Sequence, residues 1–251
     1  MKNFGFTLAE VLITLGVIGV VAAITMPTLV QKHQEKVTVN KVLKSYSLIN
    51  QAYQLAKLQE GEFSTWFSGV STSATTDDDG NTHLSDICIK NREILMNTFS
   101  KYLKSVSILQ SNNPNGKYDK IFNLNGDDVN KVELSKMVVL NLADGTSIID
   151  GWVNELTNCS GNNIACGDFA IDINGVKNPP NAFGKDIFYF SITAENILPM
   201  GLIAKTVMES GCNLNSSDSS NGYACTRWII QNKNMDYLHC NDLTFNDIKC
   251  P

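Results

Sequence analysis

From Phe6 to Val30 the chain carries a single charge, Glu10, and from Val11 to Gln31 it carries none. A helix rising about 1.5 Å per residue over that length crosses the roughly 30 Å hydrocarbon core of a bilayer. The pattern then changes without a break. Val42, Tyr46, Ile49, Tyr53 and Ala56 recur at steps of four, three, four and three, with Lys44, Asn50, Gln54 and Lys57 between them. That is one apolar stripe on a helix, read as core and not as a cofactor site. Gly61 is a stop signal. The expectation is one long helix from about Phe6 to Gln59, its first half in lipid and its second half packed on a globular head.

Beyond Glu62 the pattern is mixed. Ser71 to Thr82 is a Ser/Thr/Asp/Gly run expected to be an exposed loop, and Asp86 to Lys104 reads as a second helix. Strand patterns follow. Lys136–Leu142 and Thr146–Trp152 flank Ala143-Asp144-Gly145, a hairpin signal. Asp168–Asn174 places Phe169, Ile171 and Ile173 on one face. Asp186–Thr193 is aromatic and apolar on both faces, as expected of a central strand covered by another layer, here the long helix. The predicted fold class is α+β: a long N-terminal helix packed on an antiparallel sheet of about four strands. A polar tail follows, in which Trp228, Ile229, Ile230 and Tyr237 can pack back on the sheet.

Cysteine usage adds a compartment. Of seven cysteines, six lie in the second half, and none forms a CxxC pair of the zinc-ribbon or thioredoxin kind. With a membrane segment at the front, short loops closed by successive cysteines read as disulfides in an oxidising compartment. Short polar loops close with least entropy, which favours Cys159–Cys166, Cys212–Cys225 and Cys240–Cys250 among the fifteen pairings open to six cysteines. Cys88 is left as the free thiol. The net charge of −5, with 18% charged residues, lacks the basic excess of a nucleic-acid binder.

Catalysis finds little support. There are three histidines, His33, His83 and His239, and no G-x-S-x-G, H-E-x-x-H or Gly-rich phosphate loop. The expectation is a protein that is not an enzyme and has no cofactor. Asp77, Asp78 and Asp79 lack the spacing and closing Glu of an EF-hand and read as a solvated loop. Asp172, Asn174 and Asp186 are the one calcium candidate set, set against plain Asx turns at the same residues.

Why, then, does Glu10 interrupt an apolar run? A carboxylate near a membrane core costs on the order of 2–3 kcal/mol on insertion scales. A secretory signal would show a basic start, a shorter apolar region and a small-x-small cleavage site, and Ala22-Ala23-Ile24 is a poor one. A plain single-pass anchor leaves Glu10 unexplained. The stretch Gly5-Phe6-Thr7-Leu8-Ala9-Glu10, followed by some twenty apolar residues, resembles the start of a type IV prepilin or a type II secretion pseudopilin. The resemblance covers the first 30 residues and extends weakly to the D-x-N-G at Asp172–Gly175 and the P-N-x-x-G-x-D at Pro180–Asp186.

The resemblance implies a division into a leader at 1–5, a membrane and assembly helix at 6–30, an amphipathic half-helix at 31–60 and an extracytoplasmic head at 61–251. It implies cleavage after Gly5 by a prepilin peptidase, N-methylation of Phe6, and Glu10 as the assembly residue that meets the amine of an adjacent subunit. Amine and carboxylate are each costly in lipid, and each lowers the other's cost. The alternative for Glu10 is a helix-start acid that favours the macrodipole. Gly16, Gly19 and Pro27 would supply close helix approach and local loosening, against the plain frequency of Gly and Pro in membrane helices. The partners implied are further pilin subunits in a filament, the peptidase/methyltransferase, an inner-membrane assembly platform and lipid. The location implied is the bacterial inner membrane as a precursor, then a periplasmic or cell-surface filament. The alternative function is a membrane-anchored extracytoplasmic binding protein or adhesin. One feature opposes this topology: Lys2 stands alone in the leader, whereas Lys32, Lys36, Lys41 and Lys44 follow the apolar run, against the positive-inside rule.

Overall fold

Thr7 begins a helix that Gly61 ends, and nothing between them breaks it. In this computed structural model the described residues are 7–67, 74–76, 82–109, 120–129, 137–154, 159–161, 164–203, 211–240 and 242–250. Helix α1 spans Leu8–Glu60, 53 residues including Pro27. Gly61 takes φ +90°, a left-handed conformation that favours glycine and stops the helix. The chain divides into two compact units, Met1–Thr38 and Val39–Pro251, so the part of α1 from Val39 onward belongs with the head.

In the first unit the apolar side chains face outward: Leu8, Leu12, Ile18, Ile24 and Leu29 are among those exposed. The most apolar 18-residue window has a mean hydropathy of 2.3 and none of it is buried. Its threonines do not leave bare hydroxyls in the apolar run. Thr14, Thr25 and Thr28 each donate, at 2.9 Å, to a carbonyl of the preceding turn, those of Val11, Val21 and Thr25.

In the second unit, Val42, Ile49, Tyr53 and Ala56 are buried as the stripe requires, and Val39, Ser45 and Ala52 widen it. Helix α2 spans Asp86–Tyr102, its N-cap Ser85 accepting from Cys88 N. A two-stranded antiparallel ribbon pairs β1 (Ala74–Thr76), inside the stretch expected to be loop, with β2 (Thr82–Leu84), which starts at the last residue of that stretch. Residues 77–81, with Asp77, Asp78 and Asp79, lie outside the described residues.

The main sheet has six strands, not about four: β3 (Ser105–Leu109), β4 (Val139–Leu142), β5 (Ser147–Val153), β6 (Gly167–Asp172), β7 (Ile187–Ile192) and β8 (Ile197–Pro199). Neighbours in the chain are neighbours in the sheet, and every pairing is antiparallel, a simple meander. The two unforeseen strands are the edges. Ser105–Leu109 has serine at two of its five positions, and Ile197–Pro199 is three residues ending in proline, so neither carries a long alternating pattern.

Register sorts the side chains into two faces. Leu140, Ile148, Ile171 and Phe188 align across β4 to β7, and Phe169 aligns with Phe190; all join the core that holds Val42, Ile49 and Tyr53 of α1. Tyr46 stacks on Phe190 with ring centroids 5.6 Å apart. Val139, Ile149, Ala170, Ile187 and Tyr189 form the opposite face, covered by Ile121, Val176 and Phe183. Helix α3 spans Cys225–Asn232. Trp228, Ile229 and Tyr237 are buried, Ile230 is half-buried, and the Tyr237 hydroxyl donates to the Gly184 carbonyl at 2.7 Å.

Candidate assembly segment

The first turn of α1 is closed by two side chains. The Thr7 carbonyl accepts from Val11 N at 3.2 Å, which makes Thr7 the N-cap. Glu10 N donates to Thr7 Oγ1 at 3.2 Å, while Glu10 Oε2 accepts from Thr7 N and from Thr7 Oγ1, both at 2.8 Å. This reciprocal exchange is a capping box. It satisfies N–H groups at a helix start where lipid would offer no partner. It also fixes the carboxylate: Oε2 is committed to Thr7, and Oε1 has no partner among the described residues. The Thr-x-x-Glu signature is readable at residues 7–10, where the charge of Glu10 in an apolar run is the more conspicuous feature.

Gly5 and Phe6 lie outside the described residues. At Gly16 and Gly19 an added Cβ would meet nothing within 4 Å, so no contact inside the subunit requires glycine at either position. Pro27 lacks the N–H that would bond the Ala23 carbonyl, yet α1 runs through it.

The lysines that follow the apolar run divide into two pairs. Lys41 Nζ donates to the Ile173 carbonyl at 2.9 Å, and Lys44 Nζ pairs with Asp144 Oδ2 at 2.8 Å on the β4–β5 turn. These two fasten α1 to the head, which gives half of the unexpected lysine excess a structural use. Further along, Asn50 bonds Ile197, Gln54 Nε2 donates to the Glu195 carbonyl at 2.6 Å, and Lys57 Nζ donates to the Ala194 carbonyl at 2.7 Å. The helical pattern leaves these residues between the positions of the apolar stripe and does not show their grip on the β7–β8 turn. Nothing in a single helix pattern encodes a partner 140 residues away.

The calcium candidates do converge, but around backbone N–H groups. Asp172 Oδ1 accepts from Asn174 N at 3.0 Å and Gly175 N at 2.8 Å. Asp186 accepts from Asn181 N at 2.8 Å, Ala182 N at 2.7 Å and Asn174 Nδ2 at 3.3 Å. Burial pushes the Asp186 carboxyl above its ordinary value, and these hydrogen bonds only partly offset it. Asp172 makes an Asx turn, and Asp186 reaches back to the N–H groups of Asn181 and Ala182; together they hold the loop between β6 and β7. Among the described residues no cluster of three or more His, Cys, Asp and Glu side chains could hold a metal ion.

The cysteines are joined as Cys159–Cys166, Cys212–Cys225 and Cys240–Cys250. Cys88, buried in the first turn of α2, is in no disulfide.

Two family models match the chain. The Prokaryotic N-terminal methylation motif covers residues 1–26. A family of unknown function, DUF6613, covers residues 28–199, well over half of the chain and ending with the last residue of β8. Neither the curated proteins nor the solved structures gave a match. The methylation motif, heading an exposed apolar helix, supports a type IV pilin-like or pseudopilin subunit, fits a membrane-anchored precursor and points to a structural protein. The chain belongs to the DUF6613 family and opens with the amino terminus of the type IV pilin and pseudopilin family.

Proposed function

We propose that the chain is cleaved after Gly5, methylated on the new amine of Phe6, and polymerised through its N-terminal helix into a pilus-like or secretion-type filament with the head outside the cytoplasm. The observation that carries this reading is the pairing of an exposed apolar helix with a carboxylate held in its first turn by Thr7. Outside lipid, that much apolar surface needs cover, and other copies of the same helix supply it. Cleavage places a positive amine beside the first turn, and Glu10 Oε1 is the group free to receive the amine of a neighbour. Mutual neutralisation lowers the cost of both charges in lipid and selects one axial stagger between subunits. Three disulfides agree with an oxidising compartment for the head. Lys41 and Lys44 are engaged on the head, which weakens the charge bias against that topology. Mass spectrometry of the mature amino terminus tests the reading: a chain starting at N-methylated Phe6 is expected, and an intact Met1 or a cut near Ala23 overturns it.

A further inference from the structure

Between the β4–β5 turn and the loop that follows β6 lies a cleft of about 490 Å³. Asn174 and Lys177 stand among the polar residues of its lining, with Ser107, Asn141, Ser147 and Asn178. Asn141 stands opposite Ser107 on one side and Ser147 on the other in the register of the sheet. Ser147 Oγ donates to Asn141 Oδ1 at 2.7 Å, and Asn141 Nδ2 donates to Ser107 Oγ at 3.0 Å. The bonds run one way, from buried Ser147 to exposed Ser107, so each link polarises the next and the Ser107 proton is left to point away from Asn141. Asn178 Nδ2 uses one N–H on the Asn174 carbonyl at 2.6 Å and keeps the other.

Among the described residues the lining carries one charge, that of Lys177, and no carboxylate. Lys177, the Ser107 hydroxyl and the remaining N–H groups of Asn141 and Asn178 are donors, while Asn174 Oδ1, buried without a partner among those residues, and the Asn178 amide oxygen are acceptors suited to sugar hydroxyls. The nearby Asp144 is turned to Thr146 Oγ1 at 2.8 Å and Lys44 at 2.8 Å. Leu142 and Val176 add a small apolar surface. The wall is closely built: Gly175 holds φ +84°, and a Cβ there would lie 3.0 Å from the Gly145 carbonyl. We propose that this cleft binds a saccharide that bears a carboxylate. Lys177 and Ser107 take the carboxylate, the amides of Asn141 and Asn178 take ring hydroxyls, and Leu142 and Val176 meet the C–H face of a ring. The size suits one or two sugar rings, since small-ligand sites run from about 300 to 1,000 Å³. The proposal stands on the head alone and does not depend on polymerisation.

Isothermal titration of the full chain in detergent micelles tests it, with cellobiouronic acid, cellobiose and acetate as probes. Saturable binding of cellobiouronic acid is expected, weakened about tenfold or more for cellobiose and for the Lys177→Met variant, because a charge-assisted contact is lost in each case. Lys177 is exposed, so this variant keeps the fold, which its melting temperature verifies. Equal affinity for cellobiose, acetate competing as well as the disaccharide, unchanged affinity of Lys177→Met, or no saturable heat overturns the proposal.

Discussion

Asn50 on α1 pairs with Ile197 at the outer edge of the sheet through both of its amide atoms. Its Nδ2 donates to the Ile197 carbonyl at 3.1 Å, and Ile197 N donates to Asn50 Oδ1 at 3.0 Å. A side chain thus takes the place a further strand would occupy. The rest of that edge is closed by other means. Pro199 has no N–H, and its carbonyl accepts from Leu202 N at 3.2 Å. Where β8 runs out, Tyr189 N of β7 donates to Thr226 Oγ1 of α3 at 2.9 Å. An edge with its polar groups answered in this way is protected against pairing with another chain.

Replacing Asn50 by leucine, close in shape but without amide groups, removes both bonds. At roughly 0.5–1.5 kcal/mol each, a loss of about 1–3 kcal/mol is expected, measured by urea unfolding of the full chain in micelles. Light scattering should show more self-association in the same variant, because the β8 edge is now open. Unchanged stability would show that water serves Ile197 as well as Asn50 does.

The Lys44–Asp144 pair is a weaker fastening, with side chains 59% and 32% exposed. Desolvation raises the Asp144 carboxyl, but hydrogen bonds from Lys44 and Thr146 and the charge of Lys44 together bring it below its ordinary 3.8. A folded-state value below the unfolded one gives stability that is present above about pH 4 and lost as pH falls through the folded value. A double-mutant cycle of Lys44→Met and Asp144→Asn should give about 0.2–1 kcal/mol at neutral pH, falling with added salt and vanishing in acid.

How much of this was readable in the chain depends on range. The 3.6-residue stripe through Val42, Ile49, Tyr53 and Ala56, and the alternation of Phe169 and Ile171, are local patterns. Burial enforces them, so the long helix and the four inner strands could be read directly. Edge strands β3 and β8 escape because an edge is held by one neighbour and by caps such as Asn50, and such caps are set by tertiary contact. At the assembly segment, the Thr7–Glu10 box was present as a four-residue signature and needed only its second member to be considered. The saccharide cleft was not readable at all: Ser107, Asn141, Ser147 and Lys177 come together only through strand register and the turn at Gly175.

Tyr53 offers a test at the other end of the pH scale. It is fully buried, and its hydroxyl donates to the Thr193 carbonyl at 2.6 Å. Desolvation, helped by the charges of Glu62 and Glu195, pushes its phenol well above its ordinary value of 10. The folded state therefore holds this proton more tightly than the unfolded one, and stability present below about pH 10 is lost as pH rises beyond it. Tyr53→Phe should cost about 1 kcal/mol at neutral pH and flatten the alkaline loss, as read from melting temperatures between pH 8 and 11.

The Cys212–Cys225 bridge closes a loop over a sequence separation of 13 and joins it to the first residue of α3, with Cys225 fully buried. Chain entropy assigns such a loop about 3 kcal/mol. Replacing both cysteines by serine or alanine should lower stability by that order, with alanine milder because a buried hydroxyl at 225 adds an unmet donor. Non-reducing peptide mapping of protein taken from cells under thiol-blocking conditions should recover the three bridges and a free Cys88. Free thiols at all seven positions would place the head in the cytoplasm.

The capping box makes a sharper test of assembly than the carboxylate alone. Glu10→Ala removes both the cap and the charge, so it should insert and be cleaved yet fail to join a filament. That outcome cannot separate a frayed helix from a missing charge. Glu10→Gln keeps an oxygen to accept from Thr7 N and Thr7 Oγ1 but cannot neutralise an amine. Thr7→Val does the reverse, losing the hydroxyl while keeping the charge, at a cost of about 1 kcal/mol in capping. If Glu10 acts between subunits, filament yield should fall strongly for Glu10→Gln and only modestly for Thr7→Val, with cleavage after Gly5 intact in both. If Glu10 only starts the helix, the order reverses. Shear fractions and membrane fractions probed for the mature chain, in cells expressing the variant beside unmutated subunits, read both quantities at once.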